Sequence, residues 1–402
     1  MIVVFSLHIC KRIFQSLNSF TAINMIRAGR KFSRLPTLVG AIVAFVIFLF
    51  LVALISPDAG PGGGSYYERL SELSTWTVNQ SVILTDYLDL SNPHTFLLQP
   101  EQQISYNGNP ENLTSPFCGP AVQILIMITS APNNSLSRNA IRETWGSRNY
   151  IWPKGVRLAF VLGRSTNETI QKRVTKEAEE FQDIVQEDFL DTYHNLTLKS
   201  MAMLKWINLT CSVNNDMSSS PVWVLKSDDD MFINVDRLLK VAHDNPNSKM
   251  IGRLTCGALP IKDKNSKLYM PKYLYPSPVY PGYLSGTAYL LRGDMVPTLL
   301  DNSLTIPLIH LEDIYVTAIL ARQSQFFPDD SPFFTYNRLN PKDQCAFRYM
   351  VTSHQVTPIE MRSIWTNLTK RLPVPCSPKK QTWLRRIPKM TKRYRKLCSF
   401  PQ

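Results

Sequence analysis

Between Val122 and Ser227, short apolar runs alternate with longer mixed segments. VQILIMIT (122–129), VRLAFVLG (156–163), DIVQEDF (183–189) and VWVLKS (222–227) are rich in β-branched residues. They are short for helices, so they predict buried strands. RNAIRETW, with Ser137 as its cap, ETIQKRVTKEAEEF (168–181) and NLTLKSMAMLKWINLTC (195–211) predict helices between them. In the last of these, Leu198, Met201, Ala202 and Leu209 recur at helical spacing, which predicts an amphipathic helix with one apolar face. Strands alternating with helices predict an α/β domain around a mainly parallel, doubly wound sheet. Such sheets bind ligands at the carboxyl ends of their strands. The fourth strand ends where Asp228, Asp229 and Asp230 begin.

Upstream the pattern changes. Leu38 to Ile55 is an apolar run of 18 residues without a charge, long enough for a bilayer core. No small-residue cleavage site follows it, which favours an anchor over a cleaved signal. Basic residues precede it (Lys11, Arg12, Arg27, Arg30, Lys31, Arg34), and SPDAGPGGGS follows. The positive-inside rule then makes residues 1–37 cytosolic, 38–55 a transmembrane signal-anchor and the remainder lumenal. Met1 and Met25 are both candidate starts. Residues 56–117, rich in Pro, Gly, Ser, Asn and Gln, predict a lumenal stem.

Composition supports a lumenal body. N-x-S/T acceptor sites occur at Asn79, Asn112, Asn133, Asn167, Asn195, Asn208 and Asn367, all beyond the apolar run. Cys118, Cys211, Cys256, Cys345, Cys376 and Cys398 lie there too, an even set that predicts up to three disulfides. Spacing does not choose their pairing, and no CxxC pair marks a zinc site. The chain of 402 residues carries a net charge of +13. The excess gathers before the anchor and in the basic tail 377–402, so no nucleic-acid groove is implied. The tail reads as a solvated extension, with contact to anionic glycans or lipid head groups as the alternative.

Candidate chemistry begins with KSDDDMFIN. Three adjacent carboxylates after a buried strand repel one another, and a hard divalent cation relieves this while leaving positions for diphosphate oxygens. A solvated, helix-capping turn is the plainer alternative. Lys226 pairs with a carboxylate or phosphate, or is simply solvated. Glu312 and Asp313 in IHLEDIYVTAILARQ sit at a helix start. There they serve as dipole caps or supply a general base. VYPGYLSGTAYLL sets aromatics beside Gly282 and Gly286, either as a tight turn or as a surface for a sugar face. His354 is a lone histidine, and Arg138, Arg142 and Trp145 share the first helix.

Together these segments resemble glycosyltransferase family 31, the β-1,3-galactosyltransferase and β-1,3-N-acetylglucosaminyltransferase group. RNAIRETWG, FVLG, DIVQEDFLDTYHNLTLKS, Lys205, Trp206, Cys211, VLKSDDDMFIN, YPGYLSGTAYLL, LEDIY and SHQVTPIEM carry the resemblance in order. It implies a GT-A-type nucleotide-sugar-binding fold over 118–376 and an inverting β-1,3 transfer from a UDP-sugar to a glycan acceptor on protein or lipid. Carried over by motif, Asp230, Asp228 and His354 would hold Mn²⁺ or another divalent cation. Asp313 would be the base, with Glu312 beside it. Asp229, Arg138, Thr129, Ser130, Lys226, Gly286 and Tyr283 would serve the donor. The family often has a glycine shortly after the ED pair; here Val316, Thr317 and Ala318 occupy that stretch. UDP-galactose is the expected donor. UDP-N-acetylglucosamine, a non-catalytic glycan-binding relative and a phosphohydrolase are the alternatives, the last lacking a second acidic cluster. A Golgi membrane location follows from the anchor, and a homodimer is left open.

Overall fold

The computed structural model describes residues 88–100, 116–119, 121–211 and 222–369, together with Cys376 and Cys398. The expected anchor, the stem residues 56–87 and nearly all of the basic tail lie outside them, as do Asn79 and Asn112. Among the described residues, no helix is long and apolar enough to cross a membrane.

The four predicted strands form, as β2 (Ile124–Thr129), β3 (Val156–Arg164), β4 (Ile184–Leu190) and β5 (Trp223–Asp228). They pair in parallel in the order β4–β3–β2–β5. The sheet continues beyond them, where parallel order is lost. β8 (Tyr283–Arg292) runs antiparallel to both β5 and β7 (Met250–Thr255). Short β9 (Pro328–Asp330) pairs in parallel with β7, and β1 (Phe96–Leu98) antiparallel with β4. The sheet of eight strands is therefore mixed, which corrects the mainly parallel expectation.

Both faces are covered, which is why the central strands read as unbroken apolar runs. Alternate residues of β2 enter opposite cores. Leu125 and Met127 pack with the helices Leu196–Cys211 and Val296–Ser303; Ile124, Ile126 and Ile128 pack with the helices Ser135–Glu143 and Val235–Asp244. Two helix readings change. Leu196–Cys211 is buried nearly all round, so it is not amphipathic. Lys199 and Lys205 lie inside it, paired with Asp191 and Glu187. Ser137 lies within its helix, and Asn134 occupies the cap position, its side chain engaged elsewhere.

The six cysteines expected to form disulfides all pair, as Cys118–Cys211, Cys256–Cys398 and Cys345–Cys376. The second pair fastens the tail to the end of β7.

Candidate functional site

β5 is buried until Asp228, where the strand runs out into a turn that leaves Asp228 and Asp230 partly exposed and Asp229 buried. The three aspartates then diverge. Asp228 Oδ1 accepts hydrogen bonds from Thr129 Oγ1 at 3.0 Å and from Lys226 Nζ at 2.7 Å. Asp229 turns inward and accepts from Ser130 Oγ at 2.6 Å and Asn134 Nδ2 at 3.0 Å. Burial raises its pKa against those bonds. Asp230 remains partly exposed.

Immediately after the turn, β6 (Phe232–Ile233) pairs antiparallel with β10 (Thr352–Ser353). That ribbon returns His354 to the acidic turn, where Val356 N–H donates to the Asp230 carbonyl at 2.9 Å. His354 Nε2 lies 3.3 Å from Asp230 Oδ2, and its Nδ1 lies 3.1 Å from the Tyr336 carbonyl. The neighbouring Asp230 carboxylate raises the His354 pKa, with burial opposing. Asp228, Asp230 and His354 each offer a ligand atom, all within 4.8 Å of one another. Two carboxylates and an imidazole, the latter oriented by a carbonyl on its other nitrogen, fit a divalent cation.

A second group stands beside the first. The register of β5 on β8 pairs Ser227 with Ala288, so Gly286 lies just past the end of the pairing. Glu312 and Asp313 open a helix there. It becomes π-helical over Tyr315–Leu320, a form common at functional sites. Asp313 Oδ2 accepts from Gly286 N–H at 3.2 Å, and Oδ1 from Ile314 N–H at 2.9 Å. A Cβ on Gly286 would come within 3.1 Å of Asp313 Cβ and 3.2 Å of Glu312 Oε2, so glycine permits this approach. Burial first, then the charge of Glu312, pushes the Asp313 carboxyl up to about 7. Glu312 is buried and accepts from Tyr289 Oη at 2.5 Å.

Lys226 joins the two groups. Its buried Nζ donates to Asp228 Oδ1 at 2.7 Å and to the Gly286 carbonyl at 2.5 Å, and lies 3.5 Å from Glu312 Oε2. Burial alone would lower its pKa, but Asp228 and Glu312 outweigh burial and raise it. Lys226 is therefore an internal bridge, neither solvated nor turned toward a ligand.

Arg138 also departs from its expected role. It is fully buried, and its five N–H donors serve Glu177 Oε1 and Oε2, Ser130 Oγ and the carbonyls of Ala131 and Pro132. No N–H is left for a donor molecule. It fastens the loop that carries Ser130 and Asn134, so any effect on the donor passes through that loop. Tyr283 opens β8 opposite Thr255, partly exposed. Arg142 packs over Phe160 and Phe181 and is bound to Glu177 and Asp183, away from the acidic groups.

Several supporting residues carried no signal in the sequence. Asn134 holds Asp229, Tyr289 holds Glu312, and Lys199 Nζ donates to the Ser130 carbonyl at 2.7 Å. Thr317 falls in the stretch that departs from the family pattern. Its hydroxyl accepts from Leu284 N–H at 2.9 Å and donates to the Asp313 carbonyl at 2.6 Å, so it ties β8 to Asp313.

A galactosyltransferase family model matches residues 136–329. The chain is 35% identical over 259 residues to mouse and human beta-1,3-galactosyltransferase 1, covering 63% of this chain and 76% of theirs. It is 34% identical over 262 residues to human beta-1,3-galactosyltransferase 2, covering 63% and 59%. Among solved structures, a glycosyltransferase involved in glycosylation of the major capsid of PBCV-1 matches with a TM-score of 0.33 and 10% identity, over 60% of this chain and 98% of that one. That likeness is too slight to argue from. The sequence relatives suffice: this chain belongs to the β-1,3-galactosyltransferase family, glycosyltransferase family 31.

Proposed function

We propose that this protein transfers galactose from UDP-galactose to the 3-hydroxyl of an acceptor sugar on a glycoprotein or glycolipid, with inversion, forming a β-1,3 linkage. The observation that carries the reading is Lys226. One buried ammonium touches both Asp228 of the cation-binding group and Glu312 beside the base, fixing the two halves of a transfer site a few ångströms apart.

Asp313 is the general base. Its pKa of about 7 lets it be ionised near neutral pH and still take a proton effectively. It accepts the proton of the acceptor 3-hydroxyl, and that oxygen attacks the anomeric carbon from the face opposite UDP. Gly286 N–H and Ile314 N–H hold the carboxylate in place while it does so. Asp228, Asp230 and His354 are the residues that would hold Mn²⁺. A cation bound there neutralises charge on the departing diphosphate. Thr129 and Ser130 place Asp228 and Asp229. Residues 38–55 anchor the chain in the Golgi membrane with the domain in the lumen.

A transfer assay of the full chain with Mn²⁺, UDP-galactose or UDP-N-acetylglucosamine and a panel of β-glycoside acceptors tests this. We expect a β-1,3-galactosylated product, with linkage assigned by NMR. Transfer from UDP-N-acetylglucosamine alone would correct the donor. Glycan binding with no UDP release from either donor would overturn the reading in favour of a binding protein.

A further inference from the structure

Tyr193 has no part in the reaction described so far, yet it stands beside it. It opens a single 3-10 turn, Tyr193–Asn195, shortly after β4 ends, on the ligand-binding edge of the sheet. It stays 41% exposed although large and aromatic. Two contacts fix its ring, and a third backs the second of them. Lys267, from the loop between β7 and β8, places Nζ 4.8 Å from the ring centroid. His194 stands edge-on at 6.0 Å. His194 in turn meets His310 at 5.6 Å, and His310 lies on the segment that leads into Glu312 and Asp313. The ring is thus held between the β7–β8 loop and the base-bearing segment. Burial, then the charges of Asp313 and Asp228, raise the pKa of its hydroxyl, which agrees with a position near both.

An exposed, positionally fixed aromatic ring next to a base offers a flat apolar face at little cost in side-chain freedom. The C–H faces of a pyranose fit such a surface. We propose that Tyr193 is the platform on which the acceptor sugar stacks, with Lys267 holding the ring from the β7–β8 loop, so that the 3-hydroxyl is turned to Asp313. The proposal rests on the glycosyl-transfer reading and adds the acceptor side to it.

The test uses the full-length protein in detergent with Mn²⁺, UDP-galactose and the methyl β-glycosides of galactose and N-acetylglucosamine. Tyr193→Ala should raise the acceptor KM by about tenfold and leave the UDP-galactose KM within about twofold. Tyr193→Phe should stay close to wild type, and Lys267→Gln should raise the acceptor KM by about threefold. An unchanged acceptor KM in Tyr193→Ala, a parallel rise of both KM values, or a phenylalanine variant as impaired as the alanine one overturns the platform. If the alanine variant does not fold, Tyr193→Leu keeps the bulk without the aromatic face and should give the same acceptor-specific loss. Saturation-transfer NMR to the methyl glycosides separates the platform from the transfer reading. Saturation lost in Tyr193→Ala, in a protein that turns over no donor, upholds the platform and removes galactosyl transfer. Saturation that persists in Tyr193→Ala, or that is absent with wild type, overturns the platform whatever the turnover.

Discussion

Replacing Asp313 with asparagine should stop transfer and, at alkaline pH, stabilise the fold. Burial and Glu312 lift this carboxyl from 3.8 to about 7. A raised acid pKa means that the folded protein holds the proton more tightly than the unfolded chain does. Ionising Asp313 in the fold therefore costs stability. The cost is absent below the unfolded value of 3.8, grows as pH rises, and is complete above about 7. At ~1.4 kcal/mol per tenfold change in proton affinity, the upper bound is ~4 kcal/mol. Asp313 is partly exposed, and solvent screening brings the expected cost nearer ~2 kcal/mol. Asparagine removes that cost but cannot accept from both Gly286 N–H and Ile314 N–H, a loss of ~1 kcal/mol. The net expectation is a gain of ~1 kcal/mol at pH 8, a rise in Tm of roughly 2–4 °C, and a small loss at pH 4 where only the missing hydrogen bond counts. Thermal unfolding at the two pH values, with transfer rates and UDP binding measured alongside, checks all three parts. Turnover should fall by ~100-fold or more with UDP binding retained. A variant no more stable relative to wild type at pH 8 than at pH 4, or one that turns over within about tenfold of wild type, refutes the reasoning.

Further outcomes follow from neighbouring residues. Wild-type transfer should rise as pH passes through about 7, because Asp313, as the proposed base, must be ionised to act. Lys226→Met strands two carboxylates without their ammonium and should cost ~3–5 kcal/mol in denaturant unfolding. It should also move that rising limb to higher pH, since Lys226 holds the Asp313 pKa down. Chelation should abolish transfer and Mn²⁺ should restore it, while His354→Ala should raise the half-saturating Mn²⁺ concentration by at least ~10-fold. Arg138→Leu leaves Glu177 short of a partner and frees the Ser130 loop. It should lower stability by ~3 kcal/mol and raise the KM for UDP-galactose while leaving the acceptor KM unchanged.

The sequence was informative where one local rule sufficed. Runs such as ILIMIT are buried on both sheet faces, so they show plainly as strands, and the aspartates at the end of VWVLKS follow from the end of a strand. The antiparallel half was hidden because β8 pairs with β5 across sixty-odd intervening residues, and nothing local to either strand states the direction. Separation along the chain also hid Asn134 and Tyr289, ordinary polar residues whose importance comes from what the fold sets against them. Arg138 misled for a related reason. An arginine near an acidic site suggests phosphate, but Glu177, thirty-nine positions away, had already claimed two of its donors. His354 was visible only through the family resemblance, since its approach to Asp230 depends on a two-residue ribbon.

The bond between Cys256 and Cys398 changes what counts as the catalytic unit. A cut after Cys376 would remove no strand or helix described above, which makes it a tempting boundary for a shortened protein. Such a cut would strip Cys256 of its mate and leave a thiol 3.4 Å from where a Gly282 side chain would begin, at the root of the β7–β8 loop. In an oxidising compartment that thiol invites a bond between two molecules. A shortened protein that runs as a disulfide-linked dimer would then report a severed clasp and not a native assembly.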